Sequence, residues 1–87
     1  MNPFRIYVNG KCDTFINADH ILKVEKDEYT TFFEHILRIR MKNKKSYIIY
    51  YFDYEKDAMD AFNNLFIALN EKENSVSFDN VKKVESW

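Results

Sequence analysis

Eighty-seven residues with one glycine, one proline and one cysteine predict a single domain, residues 1–87, with no composition left for a flexible linker or an internal disulfide. A formal net charge of −1 excludes a bulk field that would gather nucleic acid or an anionic membrane surface. The longest apolar run has six residues, far short of a membrane span, and the first residues lack the apolar stretch of a signal peptide. With one unpaired thiol, a reducing, cytoplasmic setting is expected.

Phe4-Arg5-Ile6-Tyr7-Val8 alternates with period two and predicts a strand. Asn9-Gly10 follows, the dipeptide of a type I′ hairpin, which needs positive φ at both central residues. The return strand is expected over Lys11 to Ile16. Asn17-Ala18-Asp19-His20 reads as a polar bend, Ile21 to Glu25 as a third short strand, and Lys26-Asp27-Glu28 as a charged turn. A longer strand is expected from Phe32 to Lys42, and Asn43-Lys44 turns the chain.

The most informative stretch is Tyr47-Ile48-Ile49-Tyr50-Tyr51-Phe52. It is uncharged and rich in aromatic and β-branched residues, the pattern of an inner strand covered on both faces. A two-residue turn at Asn43-Lys44 would set Arg40 opposite Tyr47, Arg38 opposite Ile49, Ile39 opposite Ile48 and Leu37 opposite Tyr50. One face of this hairpin is then Leu37, Ile39, Met41, Ile48 and Tyr50. The other is Ile36, Arg38, Arg40, Tyr47, Ile49 and Tyr51. A three-residue turn would mix the two faces.

Asp53 is expected to cap a helix from roughly Tyr54 to Asn70, with Glu55 and Asp57 at the positive end of its dipole. Ala58, Met59, Phe62, Leu65, Phe66 and Leu69 share one stripe and predict its buried side, while Ile67 falls on the polar side. Glu71 to Ser75 ends the helix without a glycine. Val76 to Glu85 reads as one last strand at a sheet edge. Asp19 to Glu25 and Asp79 to Glu85 echo each other, each a polar bend feeding a short strand. A Lys/Asp-rich chain produces such a match by chance, and one seven-residue match does not make a duplication. The expected class is α+β: an antiparallel meander of four to five strands, one amphipathic helix packed on one face, and a C-terminal edge strand.

Most chemistry-bearing residues have ordinary explanations. His20 and His35 show no metal-ligand spacing. Cys12 precedes Asp13, which disfavours a thiolate nucleophile. Asp53, Asp57 and Asp60 read as a solvated helix flank, and one glycine forbids a glycine-rich phosphate loop. No cofactor, no metal and no catalytic residue is expected. The basic run Arg38, Arg40, Lys42, Lys44, Lys45 is different. Alternation puts Arg38, Arg40 and Lys42 on one strand face with Tyr47 and Tyr51 across from them. Arginine and tyrosine are enriched at binding hot spots and stack on bases. The same pattern also suits a solvated face whose arginine stems cover tyrosine rings. Arg38, Arg40, Lys42, Tyr47, Tyr51 and the exposed Ile67 are the expected partner-binding residues, and Ile67, Trp87 and an edge strand favour self-association.

Asn9-Gly10-Lys11, Phe15 to Ile21 and Val24-Glu25 resemble the opening of short flagellar FlbD-like proteins. The chain departs from that pattern in its Glu28–His35 insertion, its Asn43-Lys44 turn and its full helix. The strand–strand–helix order also resembles small uncharacterised proteins of low-GC bacteria and phages. Phe, Tyr, Met, Ile, Asn and Lys supply 44 residues, the usage of an AT-rich coding sequence. The expectation is a non-enzymatic, macromolecule-binding protein. In first place stands a phage or mobile-element accessory protein that inhibits stoichiometrically, such as an anti-CRISPR. A FlbD-like interaction module and a small nucleic-acid binder using the Arg/Tyr face are the alternatives.

Overall fold

The computed structural model describes residues 2–29, 34–43 and 46–86. Phe32, Lys44, Lys45 and Trp87, to which the sequence reading gives roles, lie outside the described residues. The order is β1 (Pro3–Val8), β2 (Lys11–Asn17), one turn of 3-10 helix (Ala18–His20), β3 (Ile21–Tyr29), β4 (Glu34–Met41), β5 (Tyr47–Phe52), α1 (Glu55–Asn70), β6 (Ser75–Phe78) and β7 (Val81–Ser86). The strands form two sheets, β2-β1-β6 and β3-β4-β5-β7. The class is therefore α+β, with the helix packed against the sheets and β7 at an edge.

Local chemistry accounts for the hairpins. Asn9 (φ 51°) and Gly10 (φ 87°) both take positive φ, and Val8 pairs with Lys11 across them, as a type I′ turn requires. The β4–β5 register is Arg40 with Tyr47, Ile39 with Ile48, Arg38 with Ile49 and Leu37 with Tyr50. The two faces separate as alternation demands. Leu37, Ile39, Ile48 and Tyr50 enter the main core, while Ile36, Ile49 and Tyr51 form a small second cluster on the opposite face.

Four expectations change. Lys26-Asp27-Glu28 is not a turn, because β3 runs on to Tyr29 in register with β4. Val76 to Glu85 is two strands: Asn80 takes φ 60° and breaks it into β6, parallel to β1, and β7, antiparallel to β5. The N-cap is Tyr54, with no side-chain cap bond, and Asp53 instead lies 3.5 Å from the Lys82 ammonium. The buried side of α1 is Ala58, Ala61, Leu65 and Ala68, whereas Met59 and Phe66 are exposed and Phe62 and Leu69 are half-buried. The helix is rotated towards its alanines, since small residues let it approach two sheets at once. It ends in a Schellman motif: Glu73 N–H donates to the Ala68 carbonyl (2.8 Å) and Lys72 N–H to that of Leu69 (3.3 Å). Lys72 (φ 57°) holds the left-handed position that glycine usually fills.

The sequence echo has a structural counterpart. Ala18–His20 leads from β2, one outer strand of the three-stranded sheet, to β3, one outer strand of the four-stranded sheet. Asp79-Asn80 leads from β6 to β7, the opposite outer strands of the same sheets. Asn9 clasps that second corner: its Nδ2 donates to the Val81 carbonyl and its Oδ1 accepts from Val81 N–H, both at 3.0 Å.

Tyr50 joins the two layers. Its ring meets Phe78 edge-on at 4.9 Å between centroids, and its hydroxyl lies 3.2 Å from that of Thr14 on β2. Burial pushes its phenol up to about 12, and the Asp13 carboxylate adds to that effect against the Thr14 hydrogen bond.

Two predictions test this packing. Leu65→Ala should cost about 2–5 kcal/mol, and Met59→Ala no more than about 1 kcal/mol; denaturant midpoints in the reverse order would put the helix in the wrong rotation. For Tyr50 the folded value lies above the unfolded one, so its neutral form contributes stability that is complete below about pH 10 and is lost as pH rises towards 12. The loss amounts to about 3 kcal/mol. Urea titrations between those limits should show this extra alkaline loss in the wild type and not in Tyr50→Phe.

Candidate functional site

The helix covers one face of the four-stranded sheet, and the opposite face carries a separate small apolar cluster of Ile36, Ile49 and Tyr51. Register places the side chains on this outer face in cross-strand rows. One row is Glu25, Arg38, Ile49 and Glu85; the next, on one side, is Asp27, Ile36, Tyr51 and Lys83; on the other side stand Lys23, Arg40 and Tyr47. Ile36, Ile49 and Tyr51 are buried, so the face has an apolar floor with charged residues standing around it.

Glu25 is the electrostatic centre. Its Oε1 lies 3.5 Å from Arg38 Nη1 and 3.5 Å from Arg40 Nε, and its Oε2 lies 3.4 Å from Lys23 Nζ. Burial of Oε1 pushes the carboxyl up, but the Lys23 contact and charge, then Arg38 and Arg40, outweigh it and hold Glu25 below the usual glutamate range. The Oε1 atom is enclosed and accepts no hydrogen bond of normal geometry. At Oε1 the attraction of the two arginines is therefore Coulombic rather than a set of directed bonds.

Arg38 and Arg40 differ in availability. The Arg38 side chain is 20% exposed and that of Arg40 53%, so Arg40 is the one that can reach a partner. Tyr51 is fixed from β7: its hydroxyl donates to Glu85 Oε1, and the Lys83 ammonium lies 4.5 Å from its ring centre. It serves as floor and not as a presented side chain. Tyr47, half-buried, sits across from Arg40.

The structure thus brings together four of the six expected residues: Arg38, Arg40, Tyr47 and Tyr51. Lys42 lies in the bend beyond β4, its N–H donating to the His20 carbonyl. Ile67 is exposed on α1, across the sheet from this face, and does not join it. Sequence reasoning missed Glu25, Lys23, Lys83 and Glu85. The signal for Glu25 was the alternation of Lys23, Glu25 and Asp27, which continues past the supposed turn. Lys83 and Glu85 needed the β5–β7 pairing.

The remaining candidates stay apart. Cys12 is exposed on β2, His20 lies in the 3-10 turn and His35 on β4. Among the described residues no group of three His, Cys, Asp or Glu side chains is placed to hold a metal ion. No helix among the described residues is long and apolar enough to cross a membrane. Comparison with protein-family models, with curated proteins and with solved structures gave no match.

The depressed carboxyl gives a pH test. Glu25 contributes stability above the unfolded value of about 4.3 and loses it as pH falls through the lower folded value. The stability gap between wild type and Glu25→Gln should therefore shrink from pH 5 towards pH 3. A gap constant across that range, read from urea midpoints, would remove Glu25 from the ion cluster.

Proposed function

We propose that this protein is a non-enzymatic binding protein that engages an acidic protein surface through the outer face of its four-stranded sheet. The observation that carries the reading is the pairing of Arg40, more than half exposed, with Tyr47 on a strand face, with Lys23 in the same cross-strand row. Tyrosine supplies a large contact area for little lost conformational freedom, arginine supplies a planar charged fork, and strands hold both in fixed positions. Glu25 neutralises part of the cationic charge at this face. That balance favours a partner with a matched pattern of charge over a polyanion, which selects for summed positive charge.

In its finest form the proposal is a phage or mobile-element accessory protein that inhibits a host defence system by occupying one of its surfaces, an anti-CRISPR being one such case. The AT-rich amino-acid usage supports that setting.

The decisive variant is Arg40→Glu. Its side chain is more than half exposed, so the fold should persist, while charge reversal sets like charges against the partner. Either reversal sets a carboxylate near Glu25, but Arg38→Glu is the poorer probe because its side chain is only 20% exposed and its loss would disturb the packing of the face. A partner captured from host lysate and titrated calorimetrically should bind Arg40→Glu at least about tenfold more weakly than wild type. Equal affinity would move the binding surface elsewhere. Binding to oligonucleotides that falls steeply with salt would replace the protein partner with nucleic acid.

A further inference from the structure

The outer strand β3 carries features that the proposed function does not use. It is the longest of the described strands, nine residues, and no described strand lies on its free side. The β3–β4 ladder shifts between Ile21 and Lys23 and leaves Leu22 outside the register, 61% exposed. Beside it, Phe66 on α1 is 64% exposed. Leu22, Val24, Phe62, Phe66 and Leu69 line a groove of about 430 Å³ between this strand and the helix. An open edge flanked by apolar side chains is a template for adding a strand.

The charge pattern of β3 selects what is added. In an antiparallel pair of identical strands, facing residues project from the same side, so the two-fold axis must pass through a residue. Four centres lie between Lys23 and Lys26. An axis through Lys23, Glu25 or Lys26 sets that charged residue against its own copy. An axis through Val24 sets Lys23 against Glu25 of the second copy, twice, and Val24 against itself. On the helix side it lays the Lys26 stem over Leu22 and brings the two Phe66 patches to either side of the axis. Opposite charges facing across a ladder stabilise it and like charges oppose it. We propose that two copies of this chain pair through β3 across an axis at Val24, joining their four-stranded sheets into one of eight strands. The Lys23 and Glu25 contacts of this pair lie on the same outer face as Arg40 and would set two such faces side by side, but the pairing does not require that Arg40 bind a partner.

The test uses the full chain without any partner. Sedimentation equilibrium at concentrations on the order of 100 μM should give twice the 10.6 kDa chain mass. Lys23→Glu changes an exposed side chain and sets glutamates against each other, so the dissociation constant should rise about tenfold or more. Phe66→Lys, also at an exposed position, should weaken the pair as well. Facing Cα atoms in such a ladder lie about 4.5–5.5 Å apart, within disulfide reach. Val24→Cys in a Cys12→Ser background should therefore cross-link to a dimer with oxidised glutathione, while Lys82→Cys on β7 in the same background should not. A monomer at these concentrations overturns the inference, as does a dimer unaffected by Lys23→Glu and Phe66→Lys. Cross-linking at Lys82→Cys in place of Val24→Cys would overturn it too.

Discussion

Tyr50 is the side chain on which the two layers depend. β5 lies inside its sheet between β4 and β7, and alternation along it turns Tyr50 inwards. Its ring fills the space against Phe78 of the three-stranded sheet, and its hydroxyl reaches Thr14 on β2. A buried phenol without a partner would cost free energy that a small domain can ill spare. The Thr14 contact removes that cost and fixes the spacing between the sheets. Alanines along α1 then let the helix settle against β6 and the four-stranded sheet together.

The outer face follows from the same inner strand. Because Tyr50 and Ile48 point inwards, Tyr47, Ile49 and Tyr51 must point out. A sheet face with buried isoleucines and no helix over it needs another cover, and the charged residues at its rim supply part of it. The Lys83 ammonium lies over the Tyr51 ring, and Arg38 is largely enclosed beside Glu25. Long cationic side chains thus shield apolar floor with their stems and keep their charges outward. Packing accounts for Arg38 and Lys83 on this face, and leaves Arg40 and Lys23 as described cations with reach to spare.

Much of this was legible in the residues, and the exceptions have physical causes. The β4–β5 register and both its faces could be read because Leu37 to Met41 alternates cleanly and ends at a turn. The helix boundaries could be read within one residue at its start, but its rotation could not. Periodicity weighs Met59 and Phe66 above Ala61 and Ala68, whereas packing between two sheets favours the small residues. The β1–β6 pairing was illegible because four residues carry little pattern and the partner strand is remote in sequence. Glu25 was seen as a strand residue, but its role at the site depended on which strand lay beside it. Asp19–Glu25 and Asp79–Glu85 share a short pattern, and each leads from one sheet to the other, one through a 3-10 turn and one through the positive φ of Asn80.

The clasp at Asn9 has a kinetic consequence. It closes on Val81, 72 positions further along the chain, and β1 finds its parallel neighbour β6 only after the helix has been made. Closing so long a loop is entropically slow, and non-local pairings lower folding rates. During synthesis the first hairpin can form at once, but one side of β1 must wait for almost the whole of the rest. Docking of the last two strands, rather than formation of the helix, is therefore the step expected to limit refolding from denaturant. Changes at Asn9 or Val76 that weaken this closure would then act mainly on the folding rate.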